Sequence, residues 1–80
     1  MEDKLLKIIS HYGVMKQLKY LHTEYFELDE AILKEENKRY FGNTRFNETH
    51  IAEEIADVMV MLKQFQYFFG IEDKQIEDIM

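Results

Sequence analysis

The chain contains no proline, no cysteine and no tryptophan, and only three glycines in 80 residues. Without cysteine there can be no disulfide, no thiolate metal site and no cysteine redox chemistry. That cysteine usage fits a cytoplasmic protein. No apolar run approaches the about 18 residues that a membrane-spanning helix needs. The opening Met1-Glu2-Asp3-Lys4 lacks the positively charged region of a signal peptide, so export is not expected. Positive charge is also scarce. Ten Lys and Arg face sixteen Asp and Glu, for a net charge of -6. Nucleic-acid binding needs a basic footprint, which this composition does not supply. An anionic substrate would need its repulsion offset, and a bound Mg²⁺ is the kind of local charge that does so.

Eighty residues define one domain, spanning 1–80, whose core is marginal for a solitary chain. Oligomerisation is therefore expected. The glycines stand at 13, 42 and 70, each after a stretch of helical periodicity. Glycine commonly ends a helix, so three breaks predict four helices. The first runs from about Glu2 to Tyr12 and the second from Val14 to about Tyr40. Asn47 or Thr49 can cap a third, which runs to about Phe69. A short last helix starts near Glu72 or Asp73. No segment shows the sustained alternation of a strand. The fold class is all-α, a small bundle built on two long antiparallel helices.

The second helix carries a stripe of Val14, Leu18, Leu21, Tyr25, Leu28 and Ile32. The third carries Ile51, Ile55, Val58, Leu62, Phe65 and Phe69. Both alternate steps of four and three, the rhythm of a bundle seam. Beside each stripe lies a pair of acids three residues apart, Glu24/Glu27 and Glu54/Asp57. At about 100° per residue, Glu24 lies about 60° and Glu27 about 120° from Leu21. Glu54 and Asp57 fall at the same angles from Ile51. The two segments match position for position at an offset of 30 residues, so one antiparallel register brings all four acids together. Two accounts fit the residues alone. The acids form a solvated helix face, the default for Glu and Asp, or they hold a hard divalent cation such as Mg²⁺, Mn²⁺ or Ca²⁺.

Around these acids lie His11-Tyr12-Gly13 through Gln17, then Glu24-x-x-Glu27-Leu28-x-Glu30-Ala31-Ile32, then Glu53-Glu54-Ile55-Ala56-Asp57-Val58. In order and spacing these segments resemble the MazG-like superfamily of all-α nucleoside triphosphate pyrophosphohydrolases. Its signature is an ExxE followed, after a spacer, by an ExxD; here 26 residues separate Glu27 from Glu54. The resemblance implies Mg²⁺, with Mn²⁺ as a substitute, on Glu24, Glu27, Glu54 and Asp57. It implies hydrolysis of an NTP or dNTP to a monophosphate and pyrophosphate, in nucleotide-pool housekeeping, by a homodimer or homotetramer. Family members carry a Glu before the first ExxE and a Lys on the preceding turn, where this chain has Thr23 and Tyr20. They also continue into a basic segment, whereas this sequence ends at Met80. These departures suit an alternative, a non-catalytic metal-binding or protein-interaction module of the same fold.

Further candidates surround the acids. Lys34 and Lys38 continue the Glu27 side of the second helix, and with Arg39 and Arg45 they are candidate phosphate contacts. Basic groups near a helix C-terminus are also favoured by the macrodipole alone. Glu53, Glu30 and His50 are candidates for an outer shell around the metal, or are exposed polar groups. No His lies three residues after a Glu, which excludes the di-iron bundle pattern.

Overall fold

A computed structural model describes residues 2–42 and 45–80. Four helices follow one another: α1 (Glu2–Tyr12), α2 (Val14–Tyr40), α3 (Glu48–Phe68) and α4 (Asp73–Ile79). No strand occurs among the described residues. Asn43 and Thr44, read above as loop formers, lie outside them.

Helix α1 begins with Glu2 and Asp3 and ends with His11, charges that complement its dipole. It stops at Gly13, whose N–H donates to the Ile9 carbonyl at 2.8 Å. The Gly13 carbonyl then accepts from the Gln17 N–H at 3.1 Å, starting α2. One residue thus closes one helix and opens the next. Its φ of 89° and ψ of 153° belong to a region that side chains with a Cβ essentially do not adopt. At the start of α3, Asn47 caps by accepting the His50 N–H at 3.1 Å.

Helices α2 and α3 are antiparallel. Gln17 meets Gln64 near one end, with Gln17 Nε2 donating to Gln64 Oε1 at 2.8 Å. At the other end, Glu35 accepts the Asn47 N–H at 3.1 Å. Both glutamines and Glu35 are buried. Lys38 pairs with Glu35 at 3.1 Å. The Asn47 N–H, and then Lys38, hold the Glu35 carboxyl below the ordinary glutamate range. A buried carboxylate with both oxygens engaged ties the end of α2 to the start of α3.

The seam between the long helices differs from the more apolar stripes described above. Tyr25 and Ile32 on α2 are exposed, as are Ile55 and Leu62 on α3 and Phe69 at its C-cap. The inward side of α2 is instead Gln17, Leu21, Glu24, Leu28, Ala31 and Glu35. On α3 it is Ile51, Glu54, Val58, Met61 and Phe65. These sets also alternate steps of three and four and share Leu21, Leu28, Ile51, Val58 and Phe65 with the expected stripes, of which Val14 and Leu18 are half-buried as well. The seam has rotated towards the acids. Helix α1 packs chiefly against α3, and its Leu5 and Ile9 are buried.

Among the described residues only four apolar ones are buried: Leu5, Ile9, Ala31 and Met61. Helix α4 buries none. It is tethered at its root, where Asp73 accepts hydrogen bonds from Lys63 and, at 2.6 Å, from Gln66. A reciprocal capping box between Glu72 and Gln75 supports its first turn. No helix among the described residues is long and apolar enough to cross a membrane.

Ile9 is the one fully buried large side chain among the described residues. Removing it leaves a cavity that a core of four apolar residues has little material to fill. Ile9→Ala is expected to destabilise the chain by about 3 kcal/mol in urea denaturation. A loss below about 1 kcal/mol would show that α1 is not an integral part of the core.

Candidate metal centre

The acids approach one another because the two helices repeat one burial pattern. From Leu21 to Glu30 and from Ile51 to Val60, every position matches in exposure. Glu24 and Glu54 are half-buried at equivalent sites on facing helices, each flanked by a seam residue on either side. Glu27 lies one turn beyond Glu24 and is exposed. Carboxylate oxygens of Glu24, Glu27 and Glu54 all lie within 4.8 Å of one another.

Asp57 is the fourth acid that the spacing predicts, and it stands outside this group. It occupies the position on α3 that Glu27 occupies on α2, but its side chain is one methylene shorter. Its charge still reaches the site. Burial raises the Glu24 carboxyl above the ordinary glutamate range, and the charges of Glu27, Asp57 and Glu54 push the same way. One oxygen of Glu24 and one of Glu54 are buried without a hydrogen-bond partner. A buried oxygen that accepts nothing costs free energy, more so when it carries charge.

A cavity of about 310 Å³ opens beside the cluster, lined by Glu27, Glu30, Ala31, Lys34, His50 and Glu54. Of the outer candidates, Lys34, Glu30 and His50 therefore face the same space as the acids. Glu53 is exposed and does not line it. Lys38 is engaged with Glu35. Arg39 forks onto Glu36 at 2.7 and 2.9 Å on the surface. Arg45 is exposed and is not among the cavity-lining residues.

Two features were not legible in the sequence. The buried Gln17–Gln64 bond could be sought only as polar residues at seam spacing. Glu35 gave a better signal, seven residues beyond Leu28 and thus on the inner side. A second cavity, of about 380 Å³, lies between α1 and α2, where Tyr12, Lys16 and Tyr20 line its mouth.

Comparison with protein-family models, with curated proteins and with solved structures finds no match to this chain. The chemistry of the cluster must therefore be read from its own donors. An oxygen-only set of clustered carboxylates, two of them with buried unpaired oxygens, fits a hard divalent cation. It does not fit a soft metal.

A folded-state carboxyl raised above its unfolded value loses stability as pH rises from the ordinary glutamate range through the raised value. Glu24→Gln removes that charge. Without divalent cations, the variant should melt higher than the parent at pH 7.5, and the gap should close on acidification to the ordinary glutamate range. Paired thermal melts across pH test this, and an equal or lower melting point at pH 7.5 would show that Glu24 carries no repulsion.

Proposed function

We propose that this chain is a MazG-like, Mg²⁺-dependent nucleoside triphosphate pyrophosphohydrolase that converts an NTP or dNTP to the monophosphate and pyrophosphate. Nucleotide-pool housekeeping is the corresponding role. The observation that carries this reading is the convergence of Glu24, Glu27 and Glu54, with two buried carboxylate oxygens unpaired, beside a cavity that also presents a lysine. The segments containing these acids resemble that family in order and spacing.

Glu24, Glu27 and Glu54 would hold the cation, and Asp57 would complete the set from the rim. Mg²⁺ in such a site supplies Lewis acidity, screening phosphate charge and lowering the pKa of an attacking water. The remaining work falls to the chain. Lys34 offers a cation to the phosphates from within the cavity. His50 and Glu30 line that cavity and can orient water by hydrogen bonding. Lys38 and Arg39 are held by Glu35 and Glu36, so phosphate binding centres on Lys34.

A second reading keeps the metal and drops the turnover, as a metal-binding or protein-interaction module. It is favoured by the turn before Glu24. Thr23 directs its hydroxyl back to the Lys19 carbonyl at 3.3 Å, and Tyr20 stands half-exposed. That turn contributes neither an acid nor a basic group to the site.

Pyrophosphate release from a panel of NTPs, dNTPs and damaged nucleotides with Mg²⁺ tests the first reading. Glu54→Gln and Asp57→Asn should each cut it by more than about a hundredfold while helicity is retained. Mg²⁺ should raise the melting temperature of the parent chain and not that of Glu54→Gln. Activity surviving both substitutions would refute the assignment. Metal stabilisation without hydrolysis of any nucleotide would select the second reading.

A further inference from the structure

Charge is unevenly placed along this acidic chain. Residues 4–23 contain Lys4, Lys7, Lys16 and Lys19 and no aspartate or glutamate. The net charge of the whole is -6, so this segment of +4 leaves -10 on the rest. It forms most of α1 and the first turns of α2. Between those two helices lies the cavity of about 380 Å³. Ile8, Tyr12, Lys16, Gln17 and Tyr20 line it, and no acid does. The first turn of α2 likewise carries no acid, and its N-cap, Gly13, offers no side chain. The positive end of that helix dipole is therefore uncompensated at the turn that carries Lys16.

Two of the lining groups lack the partner that their chemistry calls for. Lys16 Nζ stands over the Tyr12 ring, 5.0 Å from its centroid. No carboxylate pairs with it among the described residues. Gln17 is only 5% exposed. Its Nε2 donates to Gln64 Oε1 at 2.8 Å, and Gln64 Nε2 in turn reaches Met61 Sδ at 3.7 Å. That relay fixes the orientation of the Gln17 amide. Its carbonyl oxygen accepts no hydrogen bond among the described residues. An acceptor on so buried a side chain calls for a donor.

From these features we infer that the α1–α2 cavity binds a small aromatic carboxylate whose ring carries an N–H or O–H. Lys16 supplies a compact point charge for one negative group. Tyr12 and Tyr20 supply π faces and edges for a planar ring, and Ile8 supplies an apolar wall. The Gln17 carbonyl accepts from the ring donor. The volume lies within the range of small-molecule sites. One ammonium balances a carboxylate, whereas a phosphate dianion would bring a second charge that no lining group meets. Gln17 precedes Glu24 by two helical turns, about 10 Å along the axis. The occupant therefore lies clear of the acid cluster and does not require its cation. This inference is independent of the reaction proposed above.

Amide-resolved NMR of the isotope-labelled chain, titrated without divalent cations, tests it. The probes are para-hydroxybenzoate and an indole carboxylate. The comparison compounds are para-hydroxybenzamide, inorganic phosphate and uridine monophosphate. At least one carboxylate should shift the amides of residues 8–20 saturably, with a Kd below about 1 mM, and leave those around Glu54 in place. The neutral amide and both phosphates should bind at least about tenfold more weakly. Lys16→Gln and Tyr20→Ala alter exposed side chains, so the helices are retained, and each should weaken binding about tenfold. No saturable shift from either carboxylate overturns the inference. So do shifts centred on Glu54, an affinity unchanged by Lys16→Gln, or tighter binding of uridine monophosphate at the same residues.

Discussion

Like charge inside a helix seam is the constraint on which this structure turns. Glu24 and Glu54 occupy positions that an ordinary bundle gives to leucine, and Glu27 closes on them from one turn away. Carboxylates within 4.8 Å repel by on the order of 3 kcal/mol per pair at an effective dielectric of about 20. Water at the exposed Glu27 reduces that figure. The fold bears this cost at the middle of its longest contact, and structural ties appear on both sides of it. Towards one end the Gln17–Gln64 amide pair is buried and bonded. Towards the other, Glu35 is saturated by Asn47 and Lys38. Both are polar groups in the same seam, yet both have partners. Between them, one buried oxygen of Glu24 and one of Glu54 have none.

These ties also explain why so little apolar material suffices to define the register. Sliding one helix by a single residue would break the buried Gln17–Gln64 amide pair and the Glu35–Asn47 bond together. Buried polar groups of this kind penalise wrong arrangements more than they stabilise the right one. The register they impose is what brings Glu24 opposite Glu54. Helix α1 contributes two of the four buried apolar residues described, Leu5 and Ile9, and Gly13 lets it turn onto α3 with no intervening loop. Turning it there fixes which flank of the helix pair is covered and which is left bare.

The helices themselves were legible almost to the residue, because the three glycines are the only strong breaks in a proline-free chain. The acid pairs were legible as well, through their equal angles and their 30-residue offset. The seam was not. Two stripes on α2 share Leu21 and Leu28 and differ in whether Tyr25 and Ile32, or Glu24, Ala31 and Glu35, complete them. Periodicity cannot separate two stripes of the same rhythm, and apolarity favours the first. Burial separates them in the fold, where Ala31 and Glu35 are buried and Tyr25 and Ile32 are exposed. The position of Asp57 also escaped the wheel, which assigns angles without reach, so Glu27 and Asp57 looked alike although they differ by a methylene. Lys38 and Arg39 looked available for phosphate because their partners Glu35 and Glu36 sit three residues before them, an ordinary helical pairing that counts against such a role.

The same local two-fold that gathers the acids on one flank gathers Tyr25, Ile32, Ile55 and Leu62 on the other. This follows from geometry. A two-fold that exchanges antiparallel helices maps each flank of the pair onto itself, so any feature repeated at the matched positions is doubled on its own side. A sequence that repeats both an acid and an apolar residue in each helix must therefore build a two-faced slab. One face concentrates charge and resists burial, and the other concentrates apolar surface and resists water. Each face thus asks for a different kind of complement, a cation on one side and apolar surface on the other. The seam residues shared by both stripes, Leu21, Leu28, Ile51, Val58 and Phe65, lie between the faces. A change in their packing would rotate the pair and shift area from one face to the other.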